Sequence, residues 1–152
     1  DRVFRTAFMY LKNYQDAEDV LQMTFEKYLI AKPLFKSEEH EKAWFLRVAI
    51  NISKNLVTSG WKKKVIYDDE QLKLFADEAV AQVGISDSDD NSEAVLKAVL
   101  ALPKKLSVVI QLFYYEEYSV AQIADLLDIS VGNVTTRLNR ARKKLEKSLR
   151  EV

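Results

Sequence analysis

Chain breakers are almost missing from this sequence, which has 3 Gly and 2 Pro in 152 residues. Tight hairpin turns depend on those residues, because Gly supplies positive φ and Pro presets φ near −65°. A chain without them lacks the many short turns an all-β fold requires, whereas long helices need few. Apolar residues make up 48% of the chain, enough to bury a core and too many for disorder. They recur at three- and four-residue intervals, and no two-residue alternation competes. The expected fold class is all-α.

The periodicity divides into segments. Phe4, Phe8 and Leu11 belong to a helix that is already under way at the first residues, so further chain is expected before Asp1. KNY at 12–14 interrupts it. Asp16 is expected to cap the next helix, with Asp19 three residues later and Val20, Leu21, Thr24, Phe25, Tyr28 and Leu29 following. Lys32 precedes Pro33, which biases it out of the helical region and ends the run. Ser37 caps a helix over about 38–58 with two faces: Phe45, Ala49, Ile52 and Leu56 read as core, whereas Trp44, Val48, Asn51, Asn55 and Thr58 mix an aromatic ring with amides and a hydroxyl. Gly60 then stops it, and Lys62, Lys63 and Lys64 follow.

A short helical pattern over 72–80 precedes SDSDDNSE, which is acidic and has no apolar residue. Helical patterns resume at Ala94–Leu102, stop at Pro103 and continue from Leu106 to Tyr114. Two helical domains are therefore expected, 1–64 and 94–152, joined by a flexible acidic linker over 65–93. Beyond Ile85 nothing apolar in 84–93 could anchor the tether, so the two units are expected to be rigid but variable in relative orientation.

The formal net charge of zero conceals this division. Residues 1–64 carry 12 Lys/Arg against 8 Asp/Glu, 65–93 carry 1 against 9, and 94–152 carry 10 against 6. Two basic blocks flank an acidic middle, a pattern that attracts a polyanion to both ends and away from the centre.

The last basic block has a specific form. Ser119 can cap Val120–Leu127, whose buried stripe is Val120, Ile123, Ala124 and Leu127. DIS at 128–130 is a turn in which Asp128 takes the left-handed conformation usually given to Gly. Ser130 caps a second helix with Val134, Leu138, Ala141 and Leu145 on one side. Its other side presents Gly132, Thr136, Asn139, Arg140, Lys143 and Lys147, with Arg137 and Arg142 on the flanks. Two such helices make a helix-turn-helix, and hydroxyl, amide and guanidinium groups suit base edges while the cations beyond suit phosphates. The expected target is the major groove of duplex DNA.

Other classes fit poorly. There are no cysteines, hence no disulfide, thiolate metal site or cysteine nucleophile. The single His40 lies in the charged helix start SEEHEKA. No Gly-rich phosphate loop or nucleophile–base pair is present, and DSDD at 87–90 lacks the glycine and closing glutamate of a calcium loop. No enzymatic activity, cofactor or metal is expected. No apolar run reaches 18 residues, so no membrane insertion is expected, and a reducing cytoplasm suits the composition.

Three stretches together resemble bacterial RNA polymerase sigma factors of the extracytoplasmic-function class, which keep only domains 2 and 4. DAEDVLQMTFEKYL is similar to their region 2.2, and KAWFLRVAINISKNLVTSGWKKK to regions 2.3 and 2.4. LPKKLSVVIQLFYYEEYSVAQIADLLDISVGNVTTRLNRARKKL resembles region 4. The resemblance implies a transcription initiation factor that docks on core RNA polymerase, with domain 2 opening and reading the −10 element and domain 4 reading the −35 element. It assigns Asp16, Glu18, Asp19, Gln22 and Phe25 to the β′ clamp helices, and region 4 to the β flap. Trp44, Asn51, Asn55, Lys62 and Lys63 fall to the −10 element. Asn133, Thr135, Thr136, Arg137, Asn139, Arg140 and Lys143 fall to the −35 element. An anti-sigma factor is an implied further partner. The chain departs from common family residues at Asn55, Thr58, Thr135 and Asn139, so altered promoter preference is expected. A stand-alone regulator would bind a promoter without polymerase, and an interaction module that had lost DNA binding would not keep an intact basic face.

Overall fold

The computed structural model describes residues 2–58 and 90–150, with the side chains of 90–93 excepted. Among the described residues every regular element is helical. The first half contains α1 (Arg2–Leu11), α2 (Tyr14–Ala31) and α3 (Glu38–Thr58). The second contains α4 (Asp90–Leu100), α5 (Lys104–Ile110) continued by a π-helical turn (Gln111–Tyr115), α6 (Val120–Leu127) and α7 (Val131–Arg150). Helix α4 thus begins four residues inside the expected linker; the short helix expected over 72–80, together with Gly60 and Lys62–Lys64, lies outside the described residues.

Local capping explains most boundaries. Asn13, extended at φ −141°, accepts a hydrogen bond from the Asp16 amide at 3.0 Å, so α2 starts at Tyr14 and the expected cap at Asp16 is corrected. Both side chains are suited to capping; the chain leaves its extended conformation first at Asn13. Ser37 Oγ accepts from the His40 amide at 3.0 Å, as expected of a cap. Ser119 and Gln122 form a reciprocal capping box on α6. Ser130 Oγ accepts from the Asn133 amide at 3.0 Å. With glycine so scarce, helix ends fall on ordinary residues: Lys12, Lys32, Glu117 and Asp128 all have φ between 45° and 60°. Asp128 was the expected one.

Packing in α3 departs from the sequence expectation. Its buried residues are Leu46, Ala49, Ile50, Ile52 and Ser53, while Phe45 and Leu56 are only partly buried. The core stripe is rotated because α3 meets α1 and α2 and also touches α6 in the second half. Phe45 instead joins an aromatic cluster with Phe25, Tyr28, Phe35 and Trp44.

Buried apolar residues from both halves form one continuous core, from Val3, Phe8 and Val20 through Leu46 and Ile50 to Val109, Leu112, Ile123, Val134 and Leu138. In this arrangement the two expected units pack on each other through their apolar faces. The fixing contacts come from helix faces: α1 packs on α5 and the π-helical turn, and α3 packs on α6.

Candidate polymerase and promoter interfaces

Helix α7 sorts its residues as the sequence led us to expect. Val134, Leu138 and Ala141 are sealed against the core, and Leu145 is partly buried. They seat on α6 through Ile123, Ala124, Leu126 and Leu127 and on α5, so the helix is held by one side only. Asn133, Thr135, Thr136, Asn139, Arg140 and Lys143 are exposed on the rest. Thr135 turns its hydroxyl back to the Val131 carbonyl at 3.0 Å. The open side therefore offers amides, a free-standing run of cations and a guanidinium, all held at fixed spacing by a rigid helix.

Two flanking residues behave differently from their neighbours. Arg142 does not project freely: its Nε donates to Tyr114 Oη at 2.8 Å, its Nη1 donates to Asn139 Oδ1 at 3.4 Å, and its guanidinium lies over the Phe113 and Tyr114 rings at 5.8 and 5.7 Å. Stacking and hydrogen bonding hold it to the π-helical turn. Arg137 is half-buried beside α1, where its charge acts on the Tyr10 phenol. Burial pushes that phenol up, and Arg137 offsets part of the rise.

On α3, Asn51 and Asn55 are exposed, whereas Trp44 is half-buried, edge-on to Phe35 at 5.9 Å and to Phe45 at 5.1 Å. Thr58 spends its hydroxyl on the Lys54 carbonyl at 3.0 Å. Lys62 and Lys63 lie outside the described residues.

Helix α2 leaves a second open face. Glu18, Gln22 and Phe25 are exposed, while Asp16 and Asp19 are half-buried, with Asp19 accepting from Gln15 Nε2 at 3.3 Å. At about 100° per residue, Glu18, Gln22, Phe25 and Leu29 fall within about 60° of one another. Leu29 was expected to continue the buried periodicity, yet it is 66% exposed, beside Phe25 at 48%. Ile30 and Leu34 are also exposed. Periodicity marks which residues share a face; here it could not tell whether a neighbouring helix covers that face, and among the described residues none does for Leu29.

One half thus presents an open basic helix seated on a helix-turn-helix partner, and the other an open acidic-apolar helix face. Comparison with known proteins gives the family. The description Sigma-70 region 2 matches residues 1–63, and Sigma-70, region 4 matches residues 92–145. The chain belongs to the sigma-70 family of RNA polymerase sigma factors and to its extracytoplasmic-function class. It is 28% identical to the ECF RNA polymerase sigma factor SigW of Bacillus subtilis, over 100% of this chain and 85% of that one. It is 27% identical to the ECF RNA polymerase sigma-E factor of Haemophilus influenzae, over 90% of this chain and 76% of that one. The fold is similar to that of the sigma factor RpoE in complex with the anti-sigma factor NepR from Bartonella quintana, at TM-score 0.67 and 19% identity, covering 97% of this chain and 89% of that one. The chain is thus an initiation factor that binds core RNA polymerase and directs it to promoters. Among the described residues, no helix is long and apolar enough to cross a membrane.

Proposed function

We propose a division of that activity between the two halves. Residues 1–64 act as domain 2, 65–93 as the linker and 94–152 as domain 4. Glu18, Gln22 and Phe25, with Asp16 and Asp19 at the margin, meet the β′ clamp helices, and Leu29 extends the same stripe. Trp44, Asn51 and Asn55, with Lys62 and Lys63 beyond the described residues, meet the −10 element. An amide and an aromatic ring suit an unpaired base, which can be hydrogen-bonded and stacked once the strands open. Asn133, Thr135, Thr136, Arg137, Asn139, Arg140 and Lys143 meet the −35 element in the major groove, and region 4 docks on the β flap. The protein works in the cytoplasm, as a factor and not a catalyst, and an anti-sigma factor restrains it.

The observation that carries this reading is the one-sided seating of α7, whose exposed polar and basic residues stand opposite a sealed apolar stripe. Run-off transcription with core polymerase on a genomic promoter library tests it. We expect discrete start sites that depend on the chain. Promoter binding by the chain alone with no transcription on adding polymerase would mark it as a stand-alone regulator.

A further inference from the structure

Arg142 is exposed on α7, yet its guanidinium is fixed before any ligand arrives. Nε donates to Tyr114 Oη at 2.8 Å, and the guanidinium lies over the Phe113 and Tyr114 rings at 5.8 and 5.7 Å. Those two rings stand edge-on to each other, 4.9 Å apart, and form a platform. The platform belongs to the π-helical turn, in which the Glu116 amide reaches back five residues to the Gln111 carbonyl at 3.1 Å. Gln111 and Leu112 are sealed in the core while Tyr114 is 53% exposed, so the turn is anchored from inside and offers its next two side chains to α7. Stacking on aromatic faces and a planar fork of donors restrict an arginine held this way to one direction.

The remaining contact of that guanidinium is with Asn139, three residues earlier and therefore a neighbour on the helix surface. Arg142 Nη1 donates to Asn139 Oδ1 at 3.4 Å. A guanidinium has five N–H donors and no acceptor, so an amide can meet it only oxygen first. The opposite orientation would set donor against donor. The carbonyl of Asn139 is thus turned along the helix toward Arg142, and its NH2 group is left to serve a ligand. At 3.4 Å the bond is long, so it biases the direction of the amide and contributes little to stability.

Direction decides which base an asparagine can read. Adenine uses both ends of the amide, with Oδ1 accepting from N6 and Nδ2 donating to N7. Guanine shows two acceptors, O6 and N7, on its major-groove edge. An amide whose oxygen is engaged by Arg142 presents donors, which match guanine and leave the N6 group of adenine without its acceptor.

We propose that Arg142, anchored by Tyr114, is a positioning residue that turns the Asn139 amide donor-outward, so that Asn139 selects guanine over adenine at one base pair of the −35 element. This rests on the reading of α7 as the helix that meets the −35 element. The specificity of that helix then depends on a side chain outside it, the Tyr114 hydroxyl, which touches no DNA in this role.

Promoter affinity of holoenzyme, measured over −35 variants carrying each base at each position, tests the assignment. Asn139→Ala locates the position, since preference should flatten there and persist elsewhere. At that position the unaltered chain should favour guanine over adenine by about tenfold, within the range of one good base contact. Tyr114→Phe keeps the ring and removes the anchor for Nε; Arg142→Ala removes the donor itself. Both should bring the guanine-to-adenine ratio toward one at that position and leave preferences elsewhere as they were. Arg142→Lys keeps the charge without the planar fork, so it should behave as Arg142→Ala does. All three substitutions are at exposed side chains, and thermal unfolding checks that the fold is kept. Adenine favoured at the Asn139-dependent position would overturn the proposal, as would an unchanged ratio in all three variants. So would a loss equal on every sequence in Arg142→Ala and restored in Arg142→Lys, which would make Arg142 a phosphate contact. Each of those outcomes leaves Asn139 as a base reader. If Asn139→Ala alters preference at no position, the −35 assignment of Asn139 fails instead, and the positioning role falls with it.

Discussion

Two helices in this molecule are held from one side and open on the other, and their open faces are chemically unlike. The α2 face carries Glu18, Gln22, Phe25 and Leu29, an apolar centre with an acidic and amide margin. The α7 face carries Thr136, Asn139, Arg140 and Lys143, with no large apolar group among them. Protein interfaces draw their affinity from desolvated aromatic and aliphatic anchors, with charges at the rim. Nucleic-acid interfaces draw theirs from cations on phosphates and fixed donors on base edges. Under the proposed division, the same architectural device, a helix with one free side, would meet two classes of macromolecule through the side chains alone.

The comparison breaks most visibly if the α2 face is not an apolar anchor. Phe25→Ala with Leu29→Ala should weaken binding to core polymerase by about 3–4 kcal/mol, several hundredfold, if both sit at the centre of the contact. Asp19→Ala with Gln22→Ala, at the margin, should cost less. Titration against labelled polymerase measures both, with helical content checked by circular dichroism. Unchanged affinity in the Phe25/Leu29 pair would remove α2 from the polymerase interface.

Arg140→Ala addresses the opposite face. It should cost about 1–3 kcal/mol in promoter affinity and relax preference at one −35 position, if Arg140 pairs with a base edge. The measurement belongs on holoenzyme over a set of −35 variants. A loss that is equal on every sequence would make Arg140 a phosphate contact and leave base reading to Thr136 and Asn139.

The two helices also begin on the same device, Asn13 for α2 and Ser130 for α7, each accepting from the amide three residues on. Replacing either by Ala should cost about 1 kcal/mol of stability. Thermal unfolding of Asn13→Ala and Ser130→Ala should therefore show similar falls in Tm, because both caps stabilise one continuous core. A fall confined to one transition of two would show that the halves melt separately.

What was legible in the sequence follows the range of the interaction. Ser37, Ser119, Ser130 and the left-handed Asp128 act within four residues, and the α7 stripe of Val134, Leu138 and Ala141 needs only helical periodicity; all are where local reasoning puts them. Asn13 was missed because it and Asp16 both suit a cap. The rotated core stripe of α3 and the exposure of Leu29 depend on which helix lies opposite, which periodicity does not encode. Arg142 looked like its cationic neighbours until the Phe113 and Tyr114 rings were placed beside it. The boundary between halves was the least legible, since Arg5 and Glu116 are 111 positions apart and each resembles a solvated charge on its own.

The smallest expected effect is the one that sharpens the comparison furthest. Lys147 lies on the open side of α7, one to two turns beyond Arg140, where the duplex backbone should pass. A cation on a phosphate releases about one counterion and is indifferent to sequence. Lys147→Ala should therefore weaken holoenzyme binding to every −35 variant alike and lower the slope of log affinity against log salt by about 1. Glu18→Ala on α2 should leave that promoter slope where it was, since its face is proposed to meet protein. Promoter affinity measured across a salt series for both variants separates the two faces by mechanism. A change of slope with Glu18→Ala would mean that the acidic margin of α2 also faces DNA, and the division between a protein-binding and a nucleic-acid-binding helix would fail at that residue.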